Sequence, residues 1–284
     1  MKHTEFYWLG PTGQKVYAQC WQPKDQDPKA VICLVHGMGE HSSRYLPMAN
    51  YFEQHNIAVL AFDQLGHGQT EGKRGHVNSY DELLDQVERL ITESYRRFPK
   101  VAKFLYGHSM GGNLVTNYVL RRQAKIAGAI VSAPWLKLAF DPPAIKVKLG
   151  QFTNRFLGTY TEKSNLNTKH LSQDTAVVTA YENDPLIHDK ISVRMFVTCH
   201  EAGLWALERA ATLEIPMLLM HGDSDKITSH QGSQLFAERA SNDLVTFKSW
   251  PNMYHEIHNE PDKIKVWQTT LEWIEQNSPS KSDQ

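Results

Sequence analysis

The sequence is poor in cysteine, in net charge and in long apolar runs. Three cysteines in 284 residues are too few and too scattered for a disulfide framework. The 30 basic and 31 acidic residues nearly cancel, so the chain lacks the electrostatic attraction of proteins that bind nucleic acid. No stretch reaches the roughly 18 apolar residues of a membrane span, and the first residues lack the apolar core of a signal peptide. We therefore expect a cytoplasmic protein without a nucleic-acid partner.

The composition instead favours a globular enzyme with one large core. Hydrophobic residues make up 41% of the chain, and an α/β sheet of this size commonly forms a single domain. Short apolar runs alternate with segments of helical periodicity, which is typical of a mostly parallel sheet covered by helices on both faces. This alternation stops in the middle of the chain. We therefore predict an α/β core formed by residues 1–132 and 213–284, interrupted by an insertion at residues 133–212.

The most informative motif is Gly107-His108-Ser109-Met110-Gly111, a G-x-S-x-G sequence. The apolar run Val101–Tyr106 before it predicts a strand, and apolar residues at helical spacing after it predict a helix. Glycines on both sides let the strand and the helix approach closely, so that the serine occupies a sharp and strained turn. Such a turn projects the Ser109 hydroxyl into solvent as a nucleophile. The alternative is an ordinary serine that caps a helix.

A serine nucleophile on this type of fold is followed in the chain by an acid and then by a histidine. The predicted strand Ile215–Met220 leads into a loop that contains both Asp223 and Asp225. Asp225 lies further from the strand, where its side chain can turn back toward an imidazole. Asp223 is better placed to shape the loop through local hydrogen bonds. The spacing therefore favours Asp225 as the acid and leaves Asp223 as the alternative.

The histidine should follow the next predicted strand, Leu244–Trp250. The loop after it holds both His255 and His258, and both qualify as the base. A metal site here is rejected, because the H-E-x-H spacing does not put two imidazoles on one helical face and no cysteine pair has the spacing of a zinc site. We expect no cofactor, since a serine, a histidine and an aspartate suffice for acyl transfer.

Two backbone N–H groups usually stabilise the oxyanion that forms during acyl transfer. The residue after the nucleophile, Met110, supplies the first one. The apolar run Ala30–Val35 predicts a strand buried on both faces, and the glycine-containing turn His36–Gly39 follows it. This turn can direct the N–H of Met38 toward the site. The sequence thus predicts Met38 and Met110 as the oxyanion hole.

Several motifs together resemble the monoacylglycerol lipases and lysophospholipases of the α/β-hydrolase superfamily. They occur in the order of that family, at residues 36–45, 63–72, 107–112, 181–186, 222–225 and 254–258. The resemblance implies that the catalytic triad is Ser109, Asp225 and His255, which resolves both alternatives above. It implies the same oxyanion roles for Met38 and Met110.

The resemblance also implies a pocket for the glycerol head group. In that family a Glu, an Arg, a Tyr and a second His line the pocket. The matching positions of this chain are Glu40, Arg44, Tyr181 and His258. The competing interpretation is that Glu40 and Arg44 pair with each other, while the tyrosine packs the insertion and the histidine caps the last loop.

The expected function is hydrolysis of a monoacylglycerol or of a similar single-chain lipid ester. The insertion would then form a cap with an apolar acyl-binding surface, and through it the protein could contact a membrane or a micelle transiently. A lysophospholipase or general carboxylesterase is the first alternative, and a non-catalytic binding protein on the same fold is a remote one. The sequence sets neither the acyl-chain preference nor the oligomeric state.

Overall fold

The computed structural model describes residues 1–122, 125–140 and 144–278. In these ranges the chain forms ten strands, β1 (Lys2–Leu9), β2 (Lys15–Gln22), β3 (Ala30–Val35), β4 (Ile57–Phe62), β5 (Ala102–His108), β6 (Gly128–Ser132), β7 (Thr161–Lys163), β8 (Lys190–Ser192), β9 (Met217–Gly222) and β10 (Val245–Trp250). The helices are α1 (Leu46–Gln54), α2 (Tyr80–Arg97), α3 (Met110–Arg121), α4 (Ala144–Leu157), α5 (Thr175–Asn183), α6 (Val193–Arg209), α7 (His230–Arg239) and α8 (Lys263–Gln276). Short 3₁₀ turns lie at Ser42–Tyr45, Thr168–His170, Ala210–Thr212 and Ile257–Asn259.

Eight of these strands form one sheet in the order β1-β2-β4-β3-β5-β6-β9-β10. The first two pairings, β1 with β2 and β2 with β4, are antiparallel. All the other neighbours in the sheet are parallel. The antiparallel hairpin of β1 and β2 therefore extends a mostly parallel sheet, and the prediction of this fold class is confirmed.

Helices cover the sheet on both faces, as predicted. Alternate residues of β3 enter different buried clusters, because successive side chains of a strand point to opposite sides. Val31, Cys33 and Val35 belong to the cluster that also contains residues of α2, α3, α6 and α7, whereas Ile32 and Leu34 belong to the one that contains residues of α1 and α8. The continuous apolar run of this strand thus reflects burial on two faces.

The segment between β6 and β9 contains α4, α5 and α6 and the small antiparallel pair β7–β8. Helix α6 is held on the core by two side chains of α3. The Asn113 Nδ2 donates to the Cys199 carbonyl at 2.9 Å, and the Asn117 Nδ2 donates to the Ala202 carbonyl at 3.1 Å. The division into a core and a cap at 132/133 and 212/213 remains a prediction. No helix in the described part of the chain is long and apolar enough to cross a membrane.

Candidate active site

Ser109 lies in the turn that joins β5 to α3, with φ 55° and ψ −116°. A non-glycine residue rarely adopts this left-handed backbone, and such strain is concentrated at functional sites. Close packing holds the turn in place, since a Cβ on Gly107 would lie 2.4 Å from the Gly111 carbonyl oxygen and one on Gly111 would lie 2.1 Å from that of Val35. The sequence predicts a hydroxyl open to solvent, but Ser109 is only 9% exposed and lines a cavity instead.

The structure brings Ser109, His255 and Asp225 into one hydrogen-bonded chain. The Ser109 Oγ lies 2.9 Å from the His255 Nε2, and the His255 Nδ1 lies 2.7 Å from the Asp225 Oδ2. An ionised carboxylate only accepts hydrogen bonds, so the proton of the neutral imidazole is on Nδ1. The Nε2 lone pair then faces the Ser109 hydroxyl, which is the arrangement in which a histidine can take the serine proton.

Asp223 and Asp225, the two candidate acids, have different surroundings. The Asp223 Oδ1 accepts the backbone N–H of Asn252 at 2.7 Å, and the side chain lies at an exposed position. The Asp225 Oδ1 accepts the backbone N–H groups of Ile227 at 2.7 Å and Thr228 at 3.2 Å, which leaves Oδ2 for His255. Asp223 therefore shapes the loop, and Asp225 faces the imidazole.

Burial and charge act in opposite directions on the two members of this pair. Burial alone would raise the pKa of Asp225, but the charge of His255 and the hydrogen bonds from His221 and His255 lower it below its ordinary value. Burial alone would lower the pKa of His255, but the charge of Asp225 and its hydrogen bond raise it above 6.5. The pair thus favours an ionised aspartate beside an imidazole that binds a proton readily.

Two backbone N–H groups next to Ser109 are free to stabilise an oxyanion. Neither the Met38 N–H nor the Met110 N–H donates to any described residue, and Met110 is the first residue of α3, where an N–H has no intrahelical acceptor. The turn that carries Met38 packs against the serine, since a Cβ on Gly37 would lie 3.3 Å from the Ser109 Cβ. This geometry suits the predicted oxyanion hole.

The predicted pair of Glu40 and Arg44 is part of a larger buried network. The Glu40 Oε1 accepts the Gly37 N–H at 2.6 Å and the Tyr45 hydroxyl at 2.9 Å, and its Oε2 accepts the Arg44 Nη1 at 2.5 Å. Arg44 also forms a bidentate ion pair with Glu256, in which its Nη1 and Nη2 donate to the Glu256 Oε1 and Oε2 at 2.7 and 2.8 Å. The arginine thereby joins the turn before Glu40 to the loop that carries the candidate base.

The four predicted head-group residues occupy different positions. Glu40 and Tyr181 line the cavity, whereas Arg44 and His258 are absent from its lining. Arg44 stacks on the Tyr181 ring, with 4.8 Å from its guanidinium carbon to the ring centre. His258 is buried behind the site and stacks on Tyr45 at 4.9 Å, and burial lowers its pKa to about 4. Two of the four can therefore touch a bound molecule directly.

The cavity above Ser109 has a volume of about 350 Å³. Polar residues of its wall include Glu40, Tyr181 and His255. Large apolar side chains, mostly from the segment between β6 and β9, form much of the rest, and they are Met38, Trp135, Leu138, Phe140, Leu166, Leu171, Ile191, Phe196 and Ile227. An apolar cavity with a few converging polar groups is typical of a site for a small amphiphilic molecule.

Sequence reasoning missed three side chains that contact this site, Glu256, His221 and Thr228. Glu256 binds Arg44, while His221 and Thr228 both reach the Asp225 Oδ2, each at 2.9 Å. The position of His221 in the chain could have indicated its role. It lies near the carboxyl end of β9, and α/β proteins place their sites at this end of parallel strands. Among the described residues, no group of three or more His, Cys, Asp or Glu side chains is arranged to hold a metal ion.

The mostly parallel sheet and the hydrogen-bonded serine, histidine and aspartate at its carboxyl edge define the class of this protein as a hydrolase of the α/β-hydrolase fold. Its closer relationships follow from comparison with known proteins. A family model described as serine aminopeptidase, S33, matches residues 26–262. The chain therefore belongs to the serine aminopeptidase S33 family.

Individual relatives of this chain include lipases and one protein without an assigned activity. The chain is 30% identical over 272 residues to a monoacylglycerol lipase of Mycolicibacterium smegmatis, covering 95% of this chain and 96% of that protein. It is 36% identical over 258 residues to an uncharacterized abhydrolase domain-containing protein of Dictyostelium discoideum, covering 90% of this chain but 27% of that protein. The crystal structure of Paleococcus ferrophilus monoacylglycerol lipase has a TM-score of 0.82 and 30% identity, covering 98% and 100% of the two chains.

Proposed function

We propose that this protein is a monoacylglycerol lipase, a carboxylic ester hydrolase that splits a monoacylglycerol into a fatty acid and glycerol. The observation that carries the proposal is the 2.9 Å contact between the Ser109 Oγ and the His255 Nε2 beneath a cavity with apolar walls and a polar part. Similarity over nearly the whole chain to a protein named monoacylglycerol lipase supports it. Residues 133–212 act as the cap that encloses the acyl chain.

The reaction runs through an acyl-enzyme. His255 takes the proton of the Ser109 hydroxyl while the oxygen attacks the ester carbonyl, and the Met38 and Met110 N–H groups hold the resulting oxyanion. His255 then gives the proton to the departing glycerol oxygen, which breaks the ester bond. A water molecule, deprotonated by the same histidine, releases the fatty acid. Asp225 holds the imidazole in the reactive tautomer and stabilises its cation.

Glu40 and Tyr181 recognise the glycerol head group, while Arg44 and His258 support the wall behind them. The Tyr181 hydroxyl forms no hydrogen bond to any described residue, although the residue is only 7% exposed. Glu40 is held in place by the Arg44 guanidinium and the Gly37 N–H. An unbonded hydroxyl and a fixed carboxylate, on two residues that line the cavity, suit an alcohol with further hydroxyl groups.

Tyr181→Phe is expected to weaken catalysis on monoacylglycerol selectively. Loss of one hydrogen bond to the head group should remove about 1–2 kcal/mol of transition-state stabilisation, a fall of roughly 5- to 30-fold in kcat/KM. A p-nitrophenyl ester of the same acyl length lacks the glycerol hydroxyls and should be hydrolysed at an almost unchanged rate. Initial rates on both substrates measure the difference.

The matched control for this experiment is Tyr7→Phe, which removes a hydroxyl from a tyrosine of β1 that is 51% exposed. This variant should leave both rates unchanged. If Tyr181→Phe reduces the two rates equally, Tyr181 supports the fold or the triad and does not bind the head group.

The C-terminal part of α4 and the residues that follow it are proposed to touch the lipid surface from which the substrate comes. Phe152 and Phe156 are each 75% exposed, and Leu157 and Tyr160 are 54% and 60% exposed. Isolated exposed apolar residues are common, but a cluster of large ones marks an interaction surface. Apolar side chains that enter the headgroup region give reversible binding of this kind.

Replacement of both Phe152 and Phe156 by serine should reduce cosedimentation with phosphatidylcholine vesicles several-fold, because each ring loses contact with the lipid. Hydrolysis of a water-soluble ester should persist. Leu9→Ser is the matched control, since Leu9 is 74% exposed on β1 and should not affect vesicle binding. Equal vesicle binding by the wild type and the double variant would remove the lipid-contact role of this surface.

A further inference from the structure

The carboxylate of Asp225 is shared by two imidazoles. His221, in strand β9, is fully buried, and its Nε2 lies 2.9 Å from the Asp225 Oδ2. The same oxygen lies 2.7 Å from the Nδ1 of His255. The proposed mechanism uses only the second of these contacts, so the first one calls for a separate role.

The carboxylate of Asp225 fixes the direction of the His221 hydrogen bond, because an ionised carboxylate only accepts. The His221 Nε2 therefore carries a proton that points at Asp225. The Ser233 Oγ, on α7, lies 2.8 Å from the His221 Nδ1. When Nδ1 carries no proton, the serine hydroxyl donates to it and so supports this tautomer.

The other polar groups around Asp225 do not replace this donor. The Thr228 Oγ1 lies 2.9 Å from the Asp225 Oδ2 but also 3.0 Å from the Ala133 carbonyl oxygen, and a hydroxyl has one proton to donate. The backbone N–H groups of Ile227 and Thr228 bind the opposite oxygen, Oδ1. His221 is thus the second ring N–H on the oxygen that faces His255.

We propose that His221 is a positioning residue of the active site, which draws part of the Asp225 negative charge away from His255 and so sets the pH at which His255 can accept the Ser109 proton. This inference rests on the proposed triad. Hydrogen bonds to a carboxylate stabilise its charged form. A second donor on Oδ2 consequently weakens the hold of Asp225 on the imidazolium of His255.

Other titratable and charged groups also surround the two rings. They are His108, His258, Glu40, Glu256 and Arg44 near His255, and His230 near His221. Burial lowers the pKa of each of these three histidines, whereas that of His255 is raised, so the three rings lose their protons at lower pH than His255 does. The two glutamates share the charge of one arginine. Asp225 is thus the ionised group in direct contact with both rings.

The sign of the effect follows from the pKa of His255, which Asp225 raises above 6.5 against the effect of burial. Only the neutral imidazole takes the serine proton, so kcat/KM of the wild type should rise with pH. The midpoint of this rising limb of the pH profile should lie above pH 6.5. Without the His221 N–H, the charge of Asp225 concentrates on His255 and raises its pKa further. The limb should therefore move to higher pH.

The test compares His221→Met with His221→Gln, two side chains of similar length of which only glutamine keeps an N–H donor. We would measure kcat/KM for a p-nitrophenyl ester from about pH 5 to about pH 9. His221→Met should move the limb upward by about one pH unit, and His221→Gln should restore most of the wild-type profile. His230→Gln is the control, because its ring lies 5.7 Å from His221 without a bond to Asp225, and its limb should stay in place.

Ser233→Ala provides a second and milder variant if His221→Met does not fold. It leaves the imidazole in place but removes the hydroxyl that supports the Nε2-protonated tautomer, so the limb should move in the same direction by a smaller amount. Titration of Ser109 with a fluorophosphonate counts the folded sites of each variant.

The position of the rising limb distinguishes a failure of this inference from a failure of the proposed function. If Ser233→Ala and a folded His221→Met both lose rate while the rising limb stays in place, His221 only supports the fold. The inference is then wrong, although the proposed triad stands. If the wild type does not react with the fluorophosphonate at Ser109, the proposed triad fails, and this inference fails with it.

Discussion

Ser109→Ala is expected to lower kcat by roughly 10⁴-fold or more, because among the described residues only the Ser109 hydroxyl is hydrogen-bonded to the His255 Nε2. The midpoint of thermal unfolding should stay close to that of the wild type. The hydroxyl makes one hydrogen bond, to His255, and alanine tolerates the φ of 55° at this turn no worse than serine does. Initial rates on a p-nitrophenyl ester and a thermal melt measure the two effects.

Ser224→Ala is the control for this variant. Ser224 lies in the loop after β9, and its hydroxyl binds the exposed Asp223, so its loss should leave the rate within a few-fold of the wild type. An alanine variant at position 109 that keeps a tenth of the wild-type kcat would contradict the assignment of the nucleophile.

Asp225→Asn is expected to lower kcat by about 10³- to 10⁴-fold, whereas Asp223→Asn should change it by only a few-fold. The asparagine at 225 removes the negative charge that stabilises the imidazolium, and its amide nitrogen favours the wrong tautomer of His255. At position 223 the side-chain oxygen still accepts the N–H of Asn252. Measurements of kcat on the same ester rank the two variants.

The two aspartates are controls for each other, because the substitution is the same and the residues lie two positions apart. Thermal melts show whether each variant is folded. If Asp223→Asn were the more damaging change, Asp223 would be the catalytic acid and the geometry around Asp225 would need another explanation.

The fold could be predicted from the sequence because the central strands are buried on both faces. Such strands form continuous apolar runs, as in β3 and β4, and helices with one apolar face separate them. Strand ends were less accurate. The predicted strand Ile215–Met220 is β9, Met217–Gly222, because the sheet continues through the polar residue His221, which hydropathy alone assigns to a loop.

The order of the candidate catalytic residues was also predictable, since G-x-S-x-G between a strand and a helix fixes where the acid and the base must follow. Spacing could not separate Asp223 from Asp225, which occupy the same loop. Their difference arises from backbone N–H groups that orient the Asp225 carboxylate, and such orientation is a property of the folded loop.

One of the missed residues, Glu256, depends on a contact across a long stretch of chain, whereas His221 and Thr228 contact Asp225 from four and three positions away. Arg44 and Glu256 are separated by 212 positions, so no local pattern shows that they pair. The exposure of Ser109 was overestimated for the same reason, because residues far along the chain, such as Trp135 and Phe196, enclose the cavity above it. The sequence predicts an insertion at residues 133–212, but it does not show which of their side chains line the cavity.

Quantification of fatty acid and glycerol after incubation with a monoacylglycerol tests the proposed activity most directly. The wild type should release the two products in equal amounts at a rate that rises with pH above 6.5, and Ser109→Ala should release neither. If the wild type hydrolyses a p-nitrophenyl ester of the same acyl length but releases no glycerol from the monoacylglycerol, the cavity does not accept this head group and the proposed function is wrong.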